Sequence, residues 1–280
     1  MSLTELSQKL LLFLLIWLLP VAAFAAPPIY AVANQPLAVY NTAQSAASGL
    51  PRKADNCGQV RELEFVALPG TPFLILNSIG QGQQTALEVT TSAYHPPSGV
   101  RLFVHPGGLS QLAEPAPPRQ TSPPRPQELI RRLRSAAGVP YVWGGNLRAG
   151  IGIGEHQGVY AGLDCSGLLY EATDGFTPRN TADLVNYGQA VSIAGLRRDQ
   201  LMKRLQPLDL LVWKGHVMIV LDNQQTIESV FWCGQPGNGG VRIAPLRQRL
   251  GEIMASRSGV DRWPAGSGKA RFFVVRRWLP

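Results

Sequence analysis

The sequence predicts an α+β protein in two parts, a small β-barrel followed by helices packed on an antiparallel sheet. Three observations carry the prediction. Residues 62–104 hold short apolar runs with period-two alternation, broken by Pro69-Gly70 and by the polar turn from Gly80 to Gln84. Residues 115–126 hold six prolines, Pro115, Pro117, Pro118, Pro123, Pro124 and Pro126, the composition of a stiff extended linker. Beyond them, helical apolar stripes and strand-like runs share one continuous stretch.

At 280 residues the chain has room for two domains and at least one full hydrophobic core. Residues 1–25 read as a secretory signal. Lys9 precedes an unbroken apolar run from Leu10 to Leu19, then Pro20 and the small-residue exit Ala23-Phe24-Ala25, with cleavage expected after Ala25. The apolar run is shorter than the roughly 20 residues of a membrane span, so no retained anchor is expected. Losing Glu5 and Lys9 cancels in charge, and the mature chain keeps the formal +8. A basic exported protein is drawn to polyanions such as cell-wall polymers or lipid surfaces. Nucleic acid suits the charge but not the compartment, and the basic residues are scattered apart from Arg131-Arg132-Arg134 and Arg276-Arg277. A secreted or periplasmic monomer is expected.

The cysteines are Cys57, Cys165 and Cys233. An odd count in an oxidising compartment leaves one thiol free when two bridge, and a Cys57–Cys233 disulfide is one such arrangement. No C-x-x-C or His-rich spacing points to a metal, and no cofactor is expected.

Residues 26–58, rich in Ala, Asn, Gln and Pro, read as an extended lead-in. The β-domain is expected over residues 59–114. Leu63, Phe65 and Ala67 alternate, Phe73-Leu74-Ile75-Leu76 follows, Leu87 and Val89 alternate, and Val100-Arg101-Leu102-Phe103-Val104 closes the series. Together with Leu68-Pro69-Gly70-Thr71-Pro72 and Gly99, this order resembles a bacterial SH3-like barrel. The resemblance implies either binding of cell-wall peptide or shaping of the entrance to an attached catalytic domain. A β-rich prodomain without a ligand of its own is the alternative.

The second domain, residues 127–280, opens with a helix over residues 127–137, with Pro126 at its first turn, Leu129, Ile130 and Leu133 as its stripe, and Gly138 at its end. The glycine-rich segment from Gly144 to Gly162 reads as a surface loop carrying an exposed His156, because no helix follows it directly as a phosphate loop requires. Short helices are expected over residues 182–187 and 196–205, and a strand over residues 207–213. The segment Gly162-Leu163-Asp164-Cys165-Ser166-Gly167-Leu168-Leu169-Tyr170-Glu171-Ala172 turns from irregular to helical at Cys165. A thiol in the first turn of a helix meets unsatisfied N–H groups and the positive dipole end, which favour the thiolate. Ser166 and Gly167 are small enough to admit a substrate backbone. Read alone, Cys165 is equally a buried structural cysteine.

Downstream, His216-Val217-Met218-Ile219-Val220-Leu221 and Thr226-Ile227-Glu228-Ser229-Val230 read as a β-hairpin turning through Asp222-Asn223-Gln224-Gln225. In a symmetric hairpin centred near Asp222, His216 and Glu228 face each other on one side of the sheet. Glu228 then fixes the imidazole tautomer and the other ring nitrogen is left for a thiol, the pattern of nucleophile, base and orienting group.

Tyr141-Val142-Trp143-Gly144-Gly145, Asp164-Cys165-Ser166-Gly167-Leu168, Pro207-Leu208-Asp209-Leu210 and Gly215-His216-Val217-Met218-Ile219-Val220-Leu221 stand in an order that resembles the NlpC family. These are papain-like cysteine peptidases that cut bacterial cell-wall peptides. The resemblance implies a papain-like catalytic domain with Cys165 as nucleophile, His216 as base and Glu228 as the orienting residue, where the family usually has His, Asn or Gln. It implies that Tyr141 helps stabilise the oxyanion, with the backbone N–H of Cys165 as a further donor. Arg179-Asn180-Thr181 matches a substrate-binding segment that in relatives with SH3-like domains carries Asp-Ser and helps bind a free amine. Asn180 replaces that acidic residue.

The expected substrate is peptidoglycan or muropeptides, cut between D-Glu, through its γ-carboxyl, and the diamino acid. A muramoyl–L-Ala amidase, a non-catalytic wall-binding protein and a thioester acyltransferase are the alternatives.

Overall fold

The computed structural model of the protein describes residues 29–49, 54–235, 238–264 and 271–279. The signal reading of residues 1–25 lies outside them. Residues 29–48 are more than the expected lead-in. They supply β1 (Ile29–Ala33), β2 (Leu37–Tyr40) and α1 (Ala43–Ser48). The strands are short, and their pairing comes from partners far down the chain. β1 lies between β4 (Pro72–Ile79) and β7 (Leu109–Leu112), and β2 between β3 (Leu63–Ala67) and β6 (Leu102–Val104). β5 (Ala86–Thr90) joins β4 to β6.

The result corrects the expected SH3-like barrel. The seven strands form one antiparallel sheet in the order β3-β2-β6-β5-β4-β1-β7, and its two end strands do not pair, so it stays open. The outer edge of β3 is satisfied in another way. The buried Asn146 side chain accepts from the Val66 N–H at 2.8 Å and donates to the Val66 C=O at 2.9 Å. An amide that meets both backbone groups of an edge residue ends the ladder there.

Asn146 belongs to the glycine-rich segment, which is not a plain surface loop. β8 (Asn146–Leu147) pairs with β11 (Gly162–Leu163), and β9 (Ile151–Ile153) with β10 (His156–Val159). Ile151 and Tyr160 are buried in a cluster with Tyr40, Leu63 and Phe103 of the first sheet. The Tyr160 hydroxyl donates to that of Tyr40 at 3.1 Å. The alternation of Gly with Ile over residues 150–154 sets one apolar face onto the β-sheet, while His156 stays exposed.

The second sheet is built from β12 (Gln189–Ala190), β13 (Leu210–Trp213), β14 (His216–Val220), β15 (Gln225–Phe231), β16 (Gly239–Pro245), β17 (Ser258–Gly259) and β18 (Phe272–Arg277). Its order is β12-β18-β13-β14-β15-β16, antiparallel throughout, with β17 added parallel to β18. Alternate residues serve opposite faces. On one face Leu210, Val212, Val217 and Ile219 pack under Leu129 and Leu133 of α2 (Pro126–Ser135) and Leu168 and Leu169 of α3 (Cys165–Ala172). On the other, Leu211, Met218, Val220 and Phe273 meet Leu201 of α5 (Arg198–Arg204) and Leu246, Leu250 and Ile253 of α6 (Leu246–Ser256). The helix expected over residues 182–187 is the single turn α4 (Thr181–Leu184). Helices packed on an antiparallel sheet are therefore present, and both sheet faces are covered. Among the described residues no helix is long and apolar enough to cross a membrane.

Candidate active site

Cys165 is the first residue of α3, and Asp164 caps that helix, its Oδ1 accepting from the Gly167 N–H at 2.7 Å. A side-chain oxygen on an orphan N–H fixes where the helix starts, and so where the sulfur sits. The Asp164 N–H donates to the Gly145 carbonyl at 2.9 Å. Gly167 serves this crossing and does not make room for substrate. A Cβ there would lie 2.0 Å from the Gly145 oxygen, so only glycine lets the helix approach the Tyr141–Gly145 segment. The thiol is free and buried, and it donates to the Gly215 carbonyl at 3.7 Å.

Gly215 precedes His216, which opens β14. The hairpin is shifted from the symmetric expectation, with Ile219 opposite Ile227 and Val220 opposite Thr226. Asp222 Oδ1 accepts from the N–H groups of Gln224 and Gln225, both at 2.8 Å, and sets this turn. A shift by an even number of residues keeps side chains on their face, so His216 and Glu228 remain on the same side as diagonal neighbours. His216 Nε2 lies 2.8 Å from Glu228 Oε2, which leaves Nδ1 for the Cys165 thiol.

Glu228 is fully buried. Burial works against its charge, but hydrogen bonds and charge from His216 and Arg249 bring its pKa down to about 2. Burial likewise opposes charge on His216. The neighbouring Cys165 and the hydrogen bond to Glu228 outweigh it and raise the imidazole to about 9. His216 also packs against the Trp213 ring at 4.8 Å between centroids.

Tyr141 is buried, 5.3 Å from the Phe231 ring, and shares the groove with Cys165. Burial first, then the nearby Asp164 and Cys165, push its hydroxyl pKa up, so it stays a protonated donor. Arg179 is turned inward. Its guanidinium lies 2.6 Å from Asp164 Oδ2 and 3.0 Å from Oδ1, and it donates to Ser166 Oγ at 2.9 Å. Asn180 caps α4 and donates to the His95 carbonyl at 3.0 Å, and Thr181 begins that turn at the groove wall. The structure thus sets Tyr141 and Cys165 in one groove, His216 next to Cys165 and Glu228 behind the imidazole, with Arg179 beneath the helix cap and Asn180 and Thr181 on the wall.

The groove over Cys165 measures about 680 Å³, and its far wall comes from the first sheet and its loops, through Glu64, Tyr94 and His95. Tyr94 donates to Glu64 at 2.6 Å, and His95 meets Asp183 at 3.2 Å. Sequence reading did not find these residues, because nothing in local spacing links residues 64 and 95 to 165. It also missed Gln59, which accepts from the Trp143 N–H at 2.8 Å and donates to the Tyr141 carbonyl at 3.4 Å. The Cys57–Cys233 disulfide ties the Gln59 loop to the end of β15. Arg242 and Arg249 were missed too, since an arginine on an exposed-looking strand or helix gives no sign of a buried partner.

This layout defines a class, in which a helix-terminal thiol is set against an imidazole on an antiparallel sheet. The comparisons agree on the family. The NlpC/P60 family model matches residues 138–246. Peptidoglycan endopeptidase RipB of Mycobacterium tuberculosis is 30% identical over 196 residues, covering 64% of this chain and 75% of that protein. Peptidoglycan endopeptidase RipA of the same organism is 29% identical over 201 residues, covering 64% of this chain but 38% of RipA. The chain belongs to the NlpC/P60 family. Among solved structures, an NlpC/P60 endopeptidase from Photobacterium damselae subsp. piscicida aligns at 12% identity with a TM-score of 0.49, over 77% of this chain and 66% of that one.

Proposed function

We propose that the protein is an exported cysteine peptidase that hydrolyses peptidoglycan stem peptides, at the bond between the γ-carboxyl of D-Glu and the diamino acid. The observation that carries this reading is the thiol of Cys165 beside an imidazole whose other nitrogen is held by the buried Glu228. The family and the two mycobacterial endopeptidases support the substrate class, and the charge of +8 suits an acidic polymer outside the cell.

In the proposed reaction Cys165 Sγ, its proton passed to His216 Nδ1, attacks the amide carbon. The tetrahedral oxyanion is met by the Cys165 N–H and the Tyr141 hydroxyl. His216 returns the proton to the departing amine, leaving a thioester. Water, deprotonated by the imidazole, then releases the acid and regenerates the thiol. Glu228 holds the imidazole plane and stabilises its charge throughout. Residues 29–49 and 54–114 act in this reading as a second unit that walls the groove, and residues 115–126 as the connection to the catalytic unit.

The test is digestion of defined muropeptides by the mature protein, with products identified by mass spectrometry. Cleavage at the γ-D-Glu bond that Cys165→Ala abolishes is the expected result. Intact substrate with the wild type, or equal cleavage by the variant, would refute it. Cleavage at muramoyl–L-Ala would move the assignment to an amidase, and cross-linked products to an acyltransferase.

A further inference from the structure

The carboxylate behind His216 is itself gripped by two arginines from different elements, and the peptidase mechanism above does not use them. Arg242, on β16, donates to Glu228 Oε1 from Nη2 at 3.0 Å and from Nε at 3.2 Å. Arg249, on α6, donates from Nη2 to Oε2 at 3.0 Å, and its Nε lies 2.6 Å from Oε1. Glu228 Oε2 is therefore shared between Arg249 and the imidazole, while Oε1 belongs to the arginines alone. A single anion with no exposed surface, placed between two guanidinium groups and an imidazole, has one position available to it.

We infer that Arg249 and Arg242 are positioning residues for the thiol–imidazole pair, acting through Glu228: they fix its carboxylate and keep it ionised. The reasoning is electrostatic and geometric. A fully buried carboxylate favours the neutral acid unless cations or donors compensate. As the neutral acid, Glu228 no longer supplies an anion to His216, and the imidazole loses both orientation and charge stabilisation. The Arg242 fork on Oε1 and the Arg249 Nη2 on Oε2 hold both oxygens, so rotation of the carboxylate away from Nε2 would break them. The charged groups facing the carboxylate are His216 of β14, Arg242 of β16 and Arg249 of α6, with Glu252 paired to Arg249 from one turn further along. Beside the imidazole stand Cys165 of α3 and the Trp213 ring, and Arg257 lies over that ring, its guanidinium 5.1 Å from the centroid. Arg249 is the stronger of the two, because its side chain is 13% exposed against 37% for Arg242.

The experiment reads Cys165 directly. With the Cys57–Cys233 disulfide intact, Cys165 is the free thiol, and its rate of alkylation by iodoacetamide is measured against pH in folded protein. The acidic limb of that profile is expected to move upward by about one pH unit in Arg249→Gln, a roughly tenfold slower reaction on the acid flank. Arg249→Lys, which keeps the charge, is expected to return the limb close to wild type. On muropeptide the same Arg249→Gln variant is expected to lose kcat with KM unchanged, since Arg249 lies outside the groove lining. This second readout rests on the peptidase reading and the alkylation readout does not, so absence of cleavage in the wild type would strike the peptidase reading alone. An unmoved limb in Arg249→Gln, a rate lowered equally at every pH, or Arg249→Lys matching Arg249→Gln would each overturn the inference. Should Arg249→Gln fail to fold, Arg242→Gln carries the same expectation and the same refutation.

Discussion

Replacing Arg179 by Met is expected to act through the fold and not through substrate binding. The guanidinium is 3% exposed, and its carboxylate partner Asp164, whose side chain is 13% exposed, caps the helix that carries Cys165. Removing one partner of a buried ion pair leaves the other without compensation, at a cost of about 3–5 kcal/mol. At about 2–4 °C per kcal/mol for a unit of this size, the melting temperature should fall by roughly 6–20 °C. Arg179→Met with Asp164→Leu should recover most of this loss, because neither charge then stays buried. The recovery should stop about 1 kcal/mol short, the worth of the lost cap. Melting followed by circular dichroism, with KM for a muropeptide measured below the transition, distinguishes the two roles. A melting temperature within about 2 °C of wild type, joined to a large rise in KM, would show that Arg179 serves the substrate and would refute the reasoning.

Glu228→Gln takes the anion from His216, whose pKa is raised to about 9 by Cys165 and Glu228, so the basic limb of Cys165 alkylation should move to lower pH. Because the Glu228 pKa is depressed to about 2, its contribution to stability is present above the ordinary carboxylate range and is lost as pH falls through about 2. Acid unfolding of wild type and variant should therefore converge below that pH, with a difference of about 3 kcal/mol at neutrality. Asn146→Leu strips the Val66 N–H and C=O of their partners and should cost about 1–3 kcal/mol for each group left unsatisfied, read from urea denaturation. Cys57→Ser with Cys233→Ser opens a link between residues 176 positions apart and should lower stability by about 2–4 kcal/mol, while a thiol assay on native wild type should find Cys165 free.

Much of the site was legible along the chain because its signals are local. Asp164 before Cys165, then Ser166 and Gly167, write a capped helix start in consecutive residues. The parity of positions 216 and 228 survives a hairpin shift of an even number of residues, so the His216–Glu228 pair could be read with the turn centre misplaced. The helices at residues 126 and 198 show in their own apolar stripes. The second half of the site is set by encounters that no local pattern records. Arg242 and Arg249 reach Glu228 from a strand and a helix further along the chain, whose own patterns do not mark the contact. Gln59, Glu64, Tyr94 and His95 arrive from the first sheet through the packing of Ile151 and Tyr160 against it.

The sequence by itself determined a thiol at a helix start, an imidazole and a carboxylate on one face of a hairpin, and an α+β arrangement around them. Periodicity and capping act within a few residues, and the chain carries them wherever it goes. Only the tertiary structure decided that the first sheet stays open, that residues 29–40 supply two of its strands, and that Arg179 lies under the helix cap. Edge pairing and buried charge are satisfied by whichever group arrives in three dimensions. For β3 that group was the side chain of Asn146, and for Glu228 it was a pair of arginines.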